Sequence, residues 1–197
     1  DNWIDTGKII FSYSDIVPAS VKIPIEHIKF DMSQLLKAYK IFIEKVKKKE
    51  NFEIISQPKY LGSYYPRLNT KINGWIDWSI SSTMLERFIN AFETPYEGAK
   101  TFINGQKVKI KSVQLHSGEL PNHPYMSGLI IRSSKKWIVV ALSDENNLII
   151  EKALNEKSIN IIENLKEGDR FFTPYKYIEK SFNFRARYNY KGLINKN

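Results

Sequence analysis

The side chains that could do chemistry in this 197-residue chain are few and scattered. There is no cysteine, which excludes a thiol nucleophile, a disulfide scaffold, an iron–sulfur cluster and any cysteine-bearing zinc site. His27, His116 and His123 are the only imidazoles. His116 and His123 stand beside Pro121 and Pro124 and read either as polar loop residues or as two ligands converging on a metal. The glycines form neither a dinucleotide fingerprint nor a P-loop, and there is no GxSxG elbow or HExxH helix. Two short runs stand out. Asp5-Thr6-Gly7 precedes the strand-like run Lys8 to Ser14, where an aspartate suits a turn by its own chemistry. In Gly74-Trp75-Ile76-Asp77-Trp78-Ser79, two large rings bracket a short strand, with Asp77 suited to accept from nearby backbone N–H groups.

The elements that must position these residues follow from composition and periodicity. The chain carries 30 Lys+Arg against 21 Asp+Glu, a formal charge of +9, and is 42% hydrophobic and 13% aromatic. This is the composition of a folded basic protein with ample material for a core. Its longest apolar runs, such as Trp137 to Leu142, fall far short of the roughly 18 residues of a membrane span. A cytoplasmic location and no membrane partner are therefore expected. The pattern predicts a strand over Lys8 to Ser14 and connecting structure between Pro18 and Pro24. A helix is predicted from Asp31, with Leu35, Leu36, Tyr39, Phe42, Ile43 and Val46 on one face, ending in Lys45, Lys47, Lys48 and Lys49. Residues Gln57 to Gly74 read as a linker. A second helix runs from its N-cap Ser81 to about Phe92. Beyond it the period changes to two: a hairpin through Asn104-Gly105, a second hairpin from Leu129 to Leu142, and a turn at Asp144-Glu145-Asn146 into Leu148 to Ala153. Five strands after a helix predict a small closed or partly open barrel of OB type. Phe171 to Leu193 reads as strand or extended tail.

The ordered run Ile76-Asp77-Trp78-Ser79, Leu85-Glu86-Arg87-Phe88-Ile89-Asn90-Ala91-Phe92, then Pro95-Tyr96-Glu97-Gly98-Ala99-Lys100-Thr101-Phe102 resembles the family of methionyl-tRNA formyltransferase and the sugar N-formyltransferases. The resemblance extends to Ile4-Asp5-Thr6-Gly7-Lys8-Ile9-Ile10, to the helix at Asp31 to Lys49, and to Tyr65-Pro66-Arg67-Leu68. It implies residues 1–58 as the end of a Rossmann-like α/β catalytic domain, 59–73 as a linker and 74–197 as an OB-like barrel domain with a leading helix. Asp5 would be the aspartate of an Asn, His, Asp catalytic trio, with Thr6 and Gly7 beside the folate. The Asn and His of that trio lie before this loop in the family, and no Asn-x-His element occurs in the chain. The 197 residues are thus expected to be the C-terminal part of a formyltransferase and inactive alone.

The resemblance further implies 10-formyltetrahydrofolate as formyl donor, no metal, and a primary amine as acceptor. The amine must be neutral to attack, and the developing oxyanion needs hydrogen-bond donors. Asp5 would orient the upstream His and hold it protonated. Pro95-Tyr96, where the methionyl-tRNA enzymes carry tryptophan after the proline, points to an amino-sugar nucleotide as acceptor. The basic charge points to the alternative, an initiator tRNA. Tyr64, Tyr65 and Arg67 in the linker are the expected acceptor-binding residues. A non-catalytic basic OB-like module that binds RNA is the rival from another class.

Overall fold

A computed structural model describes residues 7–57, 68–118 and 121–184, with 188–189 and 192–193 as backbone alone. The chain divides into two compact units, Asp1–Val21 with Glu26–Tyr65 and Lys22–Ile25 with Pro66–Asn197.

In the first unit the long helix α1 spans Pro24–Lys47 and so begins seven residues before the expected Asp31. Proline at a helix's first position forfeits only an N–H that has no intrahelical partner there, and Glu26 complements the helix dipole. Pro24 is therefore a start signal rather than a breaker. Lys45 and Lys47 lie in the last turn, as expected, and Lys49 leaves the helix at φ 56°. The apolar face behaves differently from expectation. No residue of α1 is buried; Phe42 is packed between Phe11 and Phe52, whereas Met32, Leu35, Leu36 and Tyr39 are 57–63% exposed. The expected strand over residues 8–14 reduces to one antiparallel bridge between Ile9 and Ile55, with both bonds at 2.9 Å. A strand forms only where an edge is offered, and among the described residues Ile55 alone offers one.

The second unit is a curled, six-stranded antiparallel sheet with helices at its ends. Its strands are β1 Ala99–Ile103, β2 Gln106–Ser117, β3 Ile130–Ser133, β4 Ile138–Ala141, β5 Asn146–Leu154 and β6 Phe171–Phe172, in the order β3-β4-β5-β2-β1-β6. The short helix α2 spans Thr70–Asn73, inside the stretch expected to be linker, and α3 spans Ser82–Ala91. The first five strands are the expected ones. Asn104 at φ 49° and Gly105 at φ 77° make the tight turn between β1 and β2 that their types demand.

In the stretch expected to be strand or extended tail, Phe171–Phe172 forms the sixth strand, and the helix α4, Tyr175–Asn183, departs from that expectation. Beyond α4, Tyr188–Asn189 (β7) and Gly192–Leu193 (β8) pair as a small hairpin. The segment 128–130 bonds to 168–171 through Ile130 N to Asp169 O (2.8 Å), Gly168 N to Ile130 O (3.0 Å) and Phe171 N to Gly128 O (2.8 Å). Gly128 is needed there. Its φ is 81°, and a Cβ would collide with the Phe171 carbonyl. The expected barrel is thus realised as a half-barrel of six strands rather than five.

Packing of α3 on the inner face of this sheet makes the core. Leu85, Ile89 and Phe92 join Val108, Ile110, Ile138, Val140, Leu148 and Ile150, all at most 4% exposed. Ser81 occupies the N-cap position but makes no capping side-chain bond; Asp144, from the β4–β5 turn, accepts from Ser82 N at 2.8 Å instead. At the other end of α3 the Glu93 carboxylate accepts from Thr94 N (3.0 Å), Thr94 Oγ1 (3.0 Å) and Ser112 N (2.8 Å), and pairs with Lys111 (3.1 Å). Burial raises the Glu93 carboxyl, but the hydrogen bonds from Ser112, Thr94 and Lys111 outweigh it and hold it below its ordinary value.

A carboxyl whose folded pKa is depressed stabilises the fold above its unfolded value and loses that contribution as the pH falls through the folded one. Glu93→Gln is expected to cost about 2–3 kcal/mol at pH 7 by breaking charge-assisted bonds, one of them to the half-buried Ser112 amide. In urea titrations at several pH values, the gap between the two proteins should be constant above pH 4.5 and shrink below it. A gap independent of acid would refute the role.

Candidate functional site

Of the residues expected to carry the site, Gly7 alone is among those the structure describes; Asp5, Thr6, Tyr64, Tyr65 and Arg67 lie outside them. Gly7 is held by its carbonyl, which accepts from Gln57 Nε2 at 2.7 Å, two residues before the Ile9–Ile55 bridge. These bonds stitch the chain just after Asp5-Thr6 to residues 55–57. Among the described residues a Cβ on Gly7 would meet nothing within 4 Å.

In the second unit the tryptophan run divides its rings between two sides. Trp78 points inward, donates from its indole nitrogen to Thr101 Oγ1 (2.9 Å) and stacks on Phe171 with centroids 5.4 Å apart. Trp75 points outward, stacked on Phe102 at 5.4 Å and against Tyr177 at 4.3 Å. Asp77 Oδ1 accepts from Ser79 N (3.0 Å) and Ser79 Oγ (2.6 Å), the backbone role expected of it. Beside Trp75 a cavity of about 420 Å³ is walled by Ile80, Phe88, Ile178 and Phe182. Of its polar members Asn73, Asp77 and Ser181, Asp77 is occupied by Ser79 and Asn73 donates from Nδ2 to the Ser181 carbonyl at 2.9 Å. The cavity therefore offers apolar walls and no prepared acid or base.

The structure reveals one unusual amine that periodicity does not flag, because a lysine at a strand position normally reads as solvated. Lys100 is only 9% exposed, lies 4.8 Å from the Trp75 ring centroid and donates to the Lys71 carbonyl. Burial, then the neighbouring charge of Lys107, lowers its pKa to about 8. Trp75 and Phe102, in the run before it and in its own strand, were the available signal that this face is covered. The two histidines do not converge as ligands: His116 lies on β2, while His123 Nδ1 accepts from Tyr125 N at 3.1 Å in a short turn. Among the described residues no group of three or more His, Cys, Asp or Glu could hold a metal, and no helix is long and apolar enough to cross a membrane.

The family model for the formyl transferase C-terminal domain matches residues 69–170. The chain belongs to the formyl transferase family. The match begins just before α2 and ends at the closing segment before β6, so it coincides with the lead-in run and the curled sheet. Among solved structures, a multiply substituted variant of HypX from Aquifex aeolicus shares the fold with a TM-score of 0.53 at 13% identity, over 83% of this chain and 28% of that one. A second HypX variant from the same organism matches at 14% identity and TM-score 0.48 over 66% and 22% of the two chains. HypX in complex with tetrahydrofolic acid matches at 11% identity and TM-score 0.43, over 83% and 26%. The formyl transferase chain thus spans about a quarter of the length of these structures. No curated protein matches it.

A lysine whose folded pKa is lowered makes the native state bind fewer protons than the unfolded chain between the two values. Its burial therefore penalises the fold below about pH 8, and stability is regained as the pH rises from there toward 10.5. The full gap corresponds to about 3 kcal/mol. Lys100→Met is expected to lose this pH-dependent gain, so that the variant's stability relative to the parent falls between pH 8 and 10. Parallel curves for the two proteins in denaturant titrations would show the amine is not penalised.

Proposed function

We propose that the chain is the C-terminal part of a 10-formyltetrahydrofolate-dependent N-formyltransferase whose acceptor is the amine of an amino-sugar nucleotide. The observation that carries this reading is the family match over residues 69–170, in register with the quoted run from Ile76 to Phe102. In this reading residues 1–58 close a Rossmann-like catalytic domain, 59–73 link it, and 74–197 form an OB-like barrel. The exposed stripe Met32, Leu35, Leu36 and Tyr39 supports the first part of it, since contiguous apolar helix surface normally marks a covered face.

The donor folate supplies the activated formyl group. The chain's own contribution is positional. Asp5 orients the upstream His and keeps it charged, because a carboxylate beside imidazole favours the protonated form. Gly7 leaves the backbone open to the flat donor, with its carbonyl pinned by Gln57. Thr6 offers hydroxyl and backbone to the same loop. Tyr64, Tyr65 and Arg67 contact the acceptor. The net charge of +9 favours a second acceptor, the amino group of Met-tRNA, through phosphate contacts.

The test is the complete polypeptide that contains this chain, assayed for formyl transfer from 10-formyltetrahydrofolate to amino-sugar nucleotides and to Met-tRNA. The expected result is an N-formylated sugar nucleotide and an Asn-x-His element upstream of Asp5. Formylated Met-tRNA alone would install the second acceptor, and RNA binding with no transfer would leave a non-catalytic module. In that protein Asp5→Asn is expected to lower kcat by roughly 10²- to 10⁴-fold with an unchanged melting temperature. Arg67→Ala is expected to raise the acceptor KM several-fold with little change in the folate KM; an unchanged acceptor KM would remove Arg67 from the site.

A further inference from the structure

The outer face of the curled sheet carries a cavity that the formyl-transfer reading does not use. Side chains alternate across a strand, so with Ile138, Val140, Leu148 and Ile150 committed to the core, their neighbours face outward. The register places Gln114 beside Ile149, Ile149 beside Val139 and Val139 beside Arg132, a single row crossing four strands. His116 and Asn147 pair one step along. Trp137 and Glu151 flank the paired Ile138 and Ile150 at the opposite end. Together these side chains line a cavity of about 250 Å³. Val139 and Ile149 make an aliphatic floor, the 40% exposed Trp137 supplies an aromatic wall, and the rim is planar and polar.

One polar group is fixed in its orientation. Asn122 Nδ2 donates both to the Asn146 carbonyl (3.0 Å) and to Asn147 Oδ1 (2.9 Å). A carbonyl can only accept, so Asn122 presents its nitrogen there and Asn147 must present its oxygen in return. Asn147 is 8% exposed, and its NH₂ is thereby left for the cavity that it lines. Among the described residues, the rim then holds a committed donor in Asn147, a committed acceptor in Glu151, and Gln114, His116 and Ser117, which can do both.

We infer that this cavity binds a neutral pyranose ring. Sugar hydroxyls donate and accept at once, which suits a rim of mixed committed donors and acceptors, while the C–H face of the ring matches a single indole and an aliphatic floor. The volume lies below the roughly 300 Å³ of the smallest pockets for drug-sized ligands, so it takes one ring rather than an extended chain. Among the described lining residues one guanidinium stands against one carboxylate, whereas a phosphate strand needs an excess of cations. Lys135 and Lys136, exposed in the preceding turn, do not line it.

The test is calorimetric titration of the full 197-residue chain with methyl β-D-galactopyranoside, methyl α-D-mannopyranoside and N-acetylglucosamine, with uridine 5′-monophosphate as the competing probe. At least one sugar is expected to bind with a Kd on the order of 1 mM. Trp137→Ala should weaken it about tenfold or more and Glu151→Gln several-fold, with Trp137→Phe restoring most of the affinity. Glu151→Gln keeps the test decisive if Trp137→Ala does not fold. No sugar binding at roughly ten times that concentration overturns the inference. So does binding that neither variant weakens, or binding of the nucleotide alone through Trp137.

Discussion

The curl of the sheet depends on one bent residue and the carboxylate that holds it. Ile110 and Val113 both face the core although they are three apart, which a strand of period two cannot do without a change of phase. Ser112, at φ 53°, makes that change. A non-glycine residue in the left-handed region costs on the order of 1–3 kcal/mol, and the bend takes its N–H out of the ladder between β2 and β5. Glu93 Oε2 accepts that N–H at 2.8 Å, so the amide is satisfied by a residue just beyond α3 rather than by a strand. The partner strand shifts phase at the same level, since Ile150 and Ala153 are both buried. With both strands bent together, the sheet wraps far enough for segment 128–130 to bond to 168–171.

On this frame the lead-in run from Gly74 to Phe92 acts as an inner plug. Ile76 adds to the sheet through a parallel bridge at Trp75–Lys100, Trp78 enters the core, and α3 follows. The Trp78 indole joins a buried hydroxyl pair, Thr101 and Thr173, so the polar atom of the largest core side chain is not orphaned. Asp144 ties the start of α3 to the β4–β5 turn, and backbone and side-chain hydrogen bonds from Ser82 and Asn146 offset the cost of burying it. The outer face of the half-barrel brings side chains from four strands together in the register of their pairing.

The first unit has the opposite balance. Its helix is legible from apolar spacing, but spacing states only that a stripe exists. Phe11 and Phe52 cover Phe42, while Leu35, Leu36 and Tyr39 remain exposed. The early start at Pro24 was hidden because proline reads as a breaker until the position of the first turn is known. Of the expected site, only Gly7 is described; its tether, Gln57, is 50 residues away and no local pattern could have named it.

Local chemistry decided much of this formyl transferase domain. Asn104-Gly105 makes its turn because those residue types tolerate positive φ, the alternation around it makes β1 and β2, and the run through Trp78 marks the family. The tertiary structure decided what depends on distant partners. The two-residue strand β6 has no period of its own and exists because β1 offers an edge. The cap of α3 comes from Asp144, 62 residues on, rather than from Ser81. Lys100 is desolvated because Trp75 covers it. The row of Gln114, Ile149, Val139 and Arg132 is assembled by strand register, and a one-residue slip would turn each of them to the other face. Sequence spacing specifies neighbours along a strand; only pairing specifies neighbours across it.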